Sequence, residues 1–71
     1  MIEDKHIEWY FNLMKSKGFI AEYWNYNGYT LDDNHVKIYS IHKSGKRSSY
    51  RFIKEFVTQE IREAKLRQLL D

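Results

Sequence analysis

The first part of the chain alternates apolar and polar residues with the period of an α-helix. Ile7, Phe11 and Met14 recur at intervals of four and three residues, and this spacing predicts one helix over residues 3–17 with a single apolar face. Acidic residues precede this stripe and lysines end it, which matches the two ends of a helix dipole. Gly18 follows directly, where helices commonly end on a residue with positive φ.

The next segment changes to aromatic residues and turn signals. Residues 19–26 are rich in Phe, Tyr and Trp, which favours a β-strand. The Asn-Gly pair that follows predicts a hairpin turn, because both residue types tolerate positive φ. Residues 29–31 would then begin the returning strand, and the Asp-Asp-Asn run at 32–34 would interrupt that strand as a turn or a bulge.

Residues 35–43 predict a strand with two unlike faces. Alternate positions separate small and apolar side chains from polar, cationic and aromatic ones, as expected when successive residues point to opposite sides of a sheet. The Ser-Gly pair at 44–45 predicts a second hairpin turn, after which residues 47–52 return. The polar side of the strand would carry His35, Lys37, Tyr39, Ile41 and Lys43.

The last part of the chain admits two interpretations. A helix over residues 54–70 is favoured, because five apolar residues fall on one of its stripes. Leu66, Leu69 and Leu70 then lie on the opposite side and would form a second contact surface, which suggests a dimer. In the alternative, Thr58 caps a shorter helix that follows a longer strand. The stripe residues of the favoured helix are Ile53, Phe56, Val57, Ile61 and Ala64.

These elements predict a single α+β domain over residues 1–71, in which a three-stranded antiparallel sheet is covered by two helices in the order α-β-β-β-α. A chain this short buries only about 60% of its unfolded surface. Its two Trp, six Tyr and four Phe are therefore expected mainly in the core, and a partner or a second copy would complete the burial.

Features of the whole chain favour a cytoplasmic protein. It contains no Cys, as is usual in reducing compartments. No apolar run approaches the ~20 residues of a membrane span, so no membrane association is expected. The acidic start of the chain is unlike a signal peptide.

Positive charge is concentrated in the middle of the sequence. Residues 1–33 contain six acids and three Lys, and residues 55–71 contain four acids and three bases. Residues 34–54, by contrast, contain six Lys or Arg and no acid. This segment covers the predicted second hairpin, which would therefore form a cationic ridge although the net charge of the chain is only +2.

Nucleic acid, RNA ahead of DNA, is the expected partner of this ridge. Neutralised phosphates release counterions, and tyrosines between cations suit stacking on single strands. An acidic protein surface is one alternative, and a solvated hairpin whose lysines prevent edge-to-edge aggregation is another. The candidate nucleic-acid-binding residues are Lys37, Tyr39, Lys43, Lys46, Arg47, Tyr50, Arg51 and Lys54.

His35 is the candidate catalytic residue, although no complete catalytic constellation is present. An imidazole beside cations that hold a phosphate can cleave RNA by general acid–base catalysis without a metal. His6 has no His or acid at a suitable spacing, and His42 points away from His35, so no metal site and no cofactor are expected. The Gly-Lys pair in the second turn lacks the spacing of a phosphate-binding P-loop.

Aromatic residues around the first predicted turn offer a second kind of surface. A cross-strand aromatic ladder is the main explanation, and a protein-binding surface is the alternative, because Trp and Tyr dominate many interfaces. This leaves a second function class, a small protein of the kind that phages and plasmids encode, which inhibits or adapts another protein without catalysis. The candidate partner-binding residues are Trp24, Tyr26, Leu66, Leu69 and Leu70.

The layout resembles HicA-type toxins of bacterial toxin–antitoxin pairs. The resemblance is carried by a helix ending in KSKGF, a His that opens a strand, GKR in the next turn, and a last helix containing KLRQLL. It implies a double-stranded-RNA-binding-like α-β-β-β-α fold, cleavage of mRNA and silencing by a HicB partner. It further implies that His35 is the catalytic His, that residues 45–47 form the basic turn, and that Leu66, Leu69 and Leu70 belong to the core.

Overall fold

The computed structural model describes residues 2–70 and contains one sheet and two helices. In chain order the elements are α1 (Asp4–Ser16), β1 (Asn25–Leu31), β2 (His35–Ile41), β3 (Arg47–Ile53) and α2 (Lys54–Leu66). The strands are antiparallel and lie side by side in the order β1-β2-β3. The α+β class and the α-β-β-β-α order predicted from the sequence are therefore confirmed. Neither helix is long and apolar enough to cross a membrane within the described range.

Both helices pack against the same face of the sheet. Val36 and Ile38 of β2 are fully buried there, together with Ile7 and Phe11 of α1 and Val57 of α2. Complete burial of a side chain of this size contributes roughly 1.5–3 kcal/mol. The other face of the sheet is left open, because α1 and α2 both lie on the side of this core.

α1 agrees with the predicted helix, and local hydrogen bonds close both of its ends. At the start, the N–H of Glu3 donates to Nδ1 of His6 over 3.4 Å, and the Glu3 carboxylate lies 3.5 Å from Nε2 of the same ring. The expectation that His6 lacks a suitably spaced acid is therefore wrong, since one helical turn brings residues i and i+3 together. At the end, Gly18 adopts φ +84° and the Phe19 N–H donates to the Met14 carbonyl over 3.0 Å.

The predicted strand over residues 19–26 is wrong for most of its length. β1 begins only at Asn25, after a loop that leaves α1. Lys15 of α1 holds this loop by donating from Nζ to the carbonyl of Trp24 over 2.8 Å, and Ile20 is buried in the core. Ile20 thus packs the loop against the core, whereas Phe19 and Tyr23 of the same segment are exposed, and tertiary packing decided the structure against local strand preference.

The Asn-Gly pair predicted to form a hairpin turn lies in a β-bulge inside β1. The register of the pairing with β2 shifts between Tyr26 and Tyr29, and Gly28 adopts φ +99°, as residues of such bulges often do. The chain reverses instead at residues 32–34, so the Asp-Asp-Asn run forms the turn between β1 and β2.

The carboxylate of Asp32 organises this turn. Its Oδ1 accepts hydrogen bonds from the N–H of Asn34 over 2.8 Å and from the N–H of His35 over 2.6 Å, which is how Asp side chains stabilise turns. These two hydrogen bonds, followed by the charges of His35 and Arg51, hold the pKa of the Asp32 carboxyl below its usual range.

We therefore expect Asp32 to make stability sensitive to acid. Because its folded-state pKa is lowered, the stabilisation is complete above the unfolded-state value of about 4 and is lost as the pH falls through the folded-state value. Asp32→Asn keeps an oxygen acceptor for the turn and does not titrate. Urea unfolding measured from neutral pH down to about pH 2 should show a smaller acid loss in this variant. An equal loss in both proteins would contradict the role of Asp32.

The second hairpin and the start of α2 agree with the prediction. Gly45 adopts φ +93°, and its N–H donates to the carbonyl of His42 over 2.8 Å. α2 begins at Lys54, directly after β3, so Thr58 lies inside the helix and the alternative with a shorter helix is wrong.

The buried side of α2 is narrower than the predicted stripe. Val57, Ile61 and Ala64 are buried, whereas Ile53 is 48% exposed and Phe56 is 58% exposed. Ile53 is the last residue of β3, and Phe56 points away from the core although helical spacing places it beside the stripe. Only three of the five residues of the predicted stripe are therefore buried.

α2 ends at Leu66, before the predicted end at residue 70, because the chain turns into the left-handed region. Gln68 adopts φ +61°, and the N–H of Leu69 donates to the carbonyl of Ala64 over 2.8 Å, a motif that satisfies the last carbonyls of a helix. Leu66 and Leu69 are 79% and 63% exposed. The core position implied for them by the resemblance is therefore wrong, whereas Leu70 is half-buried against the core.

Candidate nucleic-acid interface

The face of the sheet that lies away from both helices, here called the open face, carries cations, and none of the β2–β3 residues paired on it is acidic. The carboxylate of Asp32, in the turn between β1 and β2, lies at one end of this face beside His35. The open face contains the polar side of β2 that the sequence predicted. Strand pairing places each of these β2 residues directly opposite a residue of β3. On the other side, Thr30 of β1 is paired with Lys37. The β2–β3 pairs of the open face are His35–Ile53, Lys37–Arg51, Tyr39–Ser49 and Ile41–Arg47.

Lys37 and Arg51 form the central electrostatic feature of the open face. Both side chains are exposed, and directly opposite residues have Cβ atoms about 4.5–5.5 Å apart. Like charges in such a pair repel and destabilise the sheet. No side chain among the β2–β3 pairs of this face carries a compensating negative charge, so an anion bound between the two cations would relieve the repulsion.

Tyr39 places an aromatic ring in the middle of the open face. It is half-buried and lies between Lys37 and Ile41 along β2, opposite Ser49 of β3. The Nζ of Lys37 lies 5.4 Å from the centre of the Tyr39 ring, within the range of a cation–π interaction. A flat ring with a cation at its side is a combination that can bind a base and its neighbouring phosphate together.

His35 stands at one end of the open face with two charged neighbours at its Nδ1 atom. Nη2 of Arg51 lies 3.4 Å away and Oδ1 of Asp32 lies 3.7 Å away. The side chain of His35 is 36% exposed. These contacts hold the ring at its Nδ1 atom.

A groove of about 970 Å³ begins at His35 and follows the outer side of α2. Its size is within the range of about 300–1,000 Å³ found for ligand sites. Its charged lining residues are the carboxylates of Asp33, Glu55 and Glu63 and the cations Lys54 and Arg62, so the groove has no excess of positive charge that would attract a phosphate chain. Its lining includes Asn34, His35, Ile53, Thr58, Arg62 and Leu66.

The remaining predicted cations do not lie on the open face. Lys43 and Lys46 are exposed in the β2–β3 turn, beyond the paired residues. Lys54 is at the opposite end of the sheet, where its N–H donates to the carbonyl of Asn34 over 2.9 Å and its Nζ approaches the carbonyl of Asp32 at 3.4 Å. The predicted ridge is thus divided among the open face, the hairpin tip and the first turn of α2.

Tyr50 lies on the helix side of the sheet and is separated from the other candidate nucleic-acid-binding residues. It is paired with the buried Ile38 and is half-buried against the core. Successive residues of a strand point to opposite faces, so the position of Arg51 on the open face requires Tyr50 to point away from it.

Two of the predicted partner-binding aromatic residues are anchored inside the domain. Tyr26 packs edge-on against Phe11 with ring centres 5.8 Å apart, and its hydroxyl donates to the Asp4 carboxylate over 2.7 Å. Burial and this hydrogen bond raise the pKa of Tyr26. Trp24 is half-buried against the core, and the exposed aromatic residue of this region is instead Tyr23.

Two features of the site were missed in the sequence. The first is the division of β3 into two faces, which the alternation of its residues does predict. Arg47, Ser49 and Arg51 lie on one face, and Tyr50 and Phe52 lie on the other. The contact between His35 and Arg51 had no sequence signal, since it depends on the register between β2 and β3.

The chain matches no family model, no curated protein and no solved structure. Across residues 2–70, no three His, Cys, Asp or Glu side chains are grouped so that they could hold a metal ion.

Proposed function

We propose that this domain binds single-stranded nucleic acid through the open face of its sheet. The observation that carries the proposal is the direct pairing of Lys37 with Arg51, on a face where no paired β2 or β3 residue is acidic. This pairing destabilises the free protein. A phosphate held between the two side chains would offset that penalty, and the release of its counterions would add to the affinity.

Tyr39 supplies the second part of the proposed interaction. Its ring is central on the open face, and stacking of a base on such a ring contributes about 1–3 kcal/mol. The hydroxyl of Ser49, directly opposite, is placed to donate a hydrogen bond to a phosphate or a sugar. A single strand suits this geometry better than a duplex, because only unpaired bases present their faces to a ring.

RNA is the preferred strand in this proposal, and the preference rests on the resemblance to HicA-type toxins. Anisotropy titrations with labelled single-stranded RNA and DNA of about 12 nucleotides, at about 50 and 200 mM salt, test it directly. Binding should weaken steeply with salt and should be tighter for RNA. Equal affinity for both strands would leave the open-face site in place and contradict the RNA preference, and no binding at low salt would refute both.

A second candidate function is metal-independent cleavage of RNA by His35. The observation that favours it is the position of the ring, which has Arg51 and Asp32 at its Nδ1 atom and lies at the end of the groove that it lines. In this scheme the imidazole accepts the proton of a ribose 2′-hydroxyl, and Arg51 holds the phosphate that this oxygen attacks. A 2′,3′-cyclic phosphate forms as the bond between phosphorus and the 5′-oxygen breaks, and the leaving 5′-oxygen takes a proton from water.

His35→Ala separates binding from cleavage. If His35 is a general base, the variant should lose about 10²–10⁴-fold in cleavage rate and keep most of its affinity for RNA, because the imidazole is not one of the proposed phosphate-binding cations. Incubation of end-labelled RNA with both proteins in the presence of a chelator, followed by gel analysis, measures this. Intact RNA with the wild-type protein would rule out the enzymatic alternative.

A further inference from the structure

The two edges of the sheet differ in their ability to accept another strand. β1 carries a bulge between Tyr26 and Tyr29, and bulges are one of the devices that protect edge strands from pairing. β3 pairs with β2 over seven consecutive residues without a register shift, and within residues 2–70 no strand lies on its other side. β3 therefore presents a regular row of backbone N–H and C=O groups with neither a bulge nor a proline.

The side chains of β3 would meet an added strand in two alternating rows. Arg47 and Arg51 lie on the open face, whereas Tyr50 and Phe52 lie on the helix side. Paired residues of neighbouring strands share a face. Every second side chain of an added strand would therefore lie beside the arginines, and the others would lie beside the aromatic rings.

An apolar groove of about 470 Å³ lies along this edge, between β3 and α1. Tyr10 and Met14 of α1 line it together with Phe52 of β3 and with Phe19, which is 70% exposed. The rings of Tyr10 and Phe52 pack edge-to-face with centres 5.3 Å apart, so the floor of the groove is preformed. An apolar side chain entering it would gain about 25 cal/mol for each Å² that it buries.

We propose that the β3 edge binds an extended segment of a partner protein in which acidic and apolar residues alternate. Backbone hydrogen bonds to β3 would hold the segment, as in other complexes that add a strand to a sheet. Its carboxylates would lie beside Arg47 and Arg51, and its apolar side chains would enter the groove. This site goes beyond the proposed nucleic-acid function, because it uses the edge of the sheet and the groove under it. The two sites share Arg51, so an acidic segment and a phosphate would compete for that side chain.

A second copy of this chain fits the edge less well than an acidic segment does. Antiparallel pairing of two β3 edges would place Arg47 and Arg51 of both copies on one face of the joined sheet. β3 contains no Asp or Glu that could compensate them, and like charges across neighbouring strands destabilise a sheet. Charge therefore favours an acidic partner segment.

The test uses a short fluorescein-labelled peptide in which Glu alternates with Val, titrated by anisotropy against the full chain. Binding is expected, with new hydrogen-exchange protection of β3 amides and none in β1. Phe19→Glu, which puts a negative charge at the rim of the groove, should weaken binding by about tenfold, as the loss of an anchoring apolar contact does. Phe56→Glu is the matched control, because Phe56 is 58% exposed on α2 outside the groove, and it should bind like wild type.

Two further peptides identify the source of the affinity. Replacing Glu by Lys should weaken binding because of the arginines, and full N-methylation should abolish it because no backbone N–H is left to donate. The proposal is overturned if the Glu-Val peptide does not bind, if the N-methylated peptide binds equally well, or if Phe19→Glu and Phe56→Glu behave alike. Concentration-dependent protection of β3 without peptide would identify a second copy as the occupant and would also overturn it.

The open-face site and the β3-edge site can be refuted separately. Phe19 lies in the loop after α1, away from the open face, so Phe19→Glu should retain wild-type affinity for single-stranded RNA if the open face is the binding surface. Loss of peptide binding alone in this variant supports the edge site, and loss of RNA binding alone contradicts it.

Discussion

Replacement of Lys37 and Arg51 together by alanine should lower the affinity for single-stranded RNA by about 100-fold or more at low salt. The reason is that two hydrogen bonds between cations and phosphate are lost, each of which contributes about 1.5–3 kcal/mol. The slope of log affinity against log salt should also fall by about 1.4, since each phosphate contact on a single strand contributes about 0.7. Anisotropy titrations at several salt concentrations measure both quantities.

The same double variant should fold at least as well as the wild-type protein. Lys37 and Arg51 repel each other across the strand pair, so their removal relieves an unfavourable interaction of roughly 0.2–1 kcal/mol. Thermal unfolding followed by circular dichroism therefore distinguishes a lost binding surface from a damaged fold. A lower melting temperature together with unchanged RNA affinity would contradict the assignment of this pair to binding.

Lys43→Ala/Lys46→Ala is the matched control, because it removes two positive charges from the hairpin tip and leaves the open face intact. We expect it to lower the affinity only slightly, through long-range attraction that salt screens within about 10 Å. If this tip variant loses as much affinity as Lys37→Ala/Arg51→Ala, the tip of the hairpin is the contact surface. If both variants bind RNA as the wild-type protein does, neither surface binds phosphate.

Phe11→Ala should remove a large part of the free energy of unfolding of the protein. Phe11 is fully buried at the centre of the core and packs against Tyr26, and truncation of a buried Phe to Ala costs about 3–5 kcal/mol. A domain of this size has a total stability of only about 4–10 kcal/mol. Urea unfolding monitored by far-ultraviolet circular dichroism should show a large loss, or no folded baseline at all.

Phe56→Ala is the matched control for the core. Phe56 was predicted to belong to the buried stripe of α2, but it is 58% exposed, and the loss of such a side chain should change stability by about 0.5 kcal/mol or less. A loss as large as that of Phe11→Ala would mean that α2 turns a different side towards the sheet. This pair of variants therefore tests the helix orientation on which the open face depends.

Local signals in the sequence were sufficient for the order of the elements. The stripe of Ile7, Phe11 and Met14 predicted α1, and the glycines at 18 and 45 marked a helix end and a turn where φ is positive. The two faces of β2 followed from simple alternation. In each case the structural outcome depends on residues close together in the chain, so periodicity and the φ preference of glycine carry the necessary information.

The sequence did not predict the structure where the same local preference is compatible with two different conformations. Positive φ at Gly28 fits a hairpin turn and a bulge equally well, and only the pairing of β1 with β2 decided for the bulge. Gln68 ends α2 in the left-handed region, although glutamine carries no such preference. The exposure of Phe56 and Leu66 likewise depends on which side of α2 meets the sheet, and helical spacing alone does not determine that side.

The candidate site shows the same division between local and tertiary information. The concentration of six cations and no acid in residues 34–54 is a property of the sequence. The register between β2 and β3 places Lys37 opposite Arg51 and brings Arg51 into contact with His35. It also pairs Tyr50 with Ile38 on the helix side of the sheet. Charge content can be read along a chain, but the distance between two charges on different strands is set by backbone hydrogen bonds that form only when the sheet is assembled.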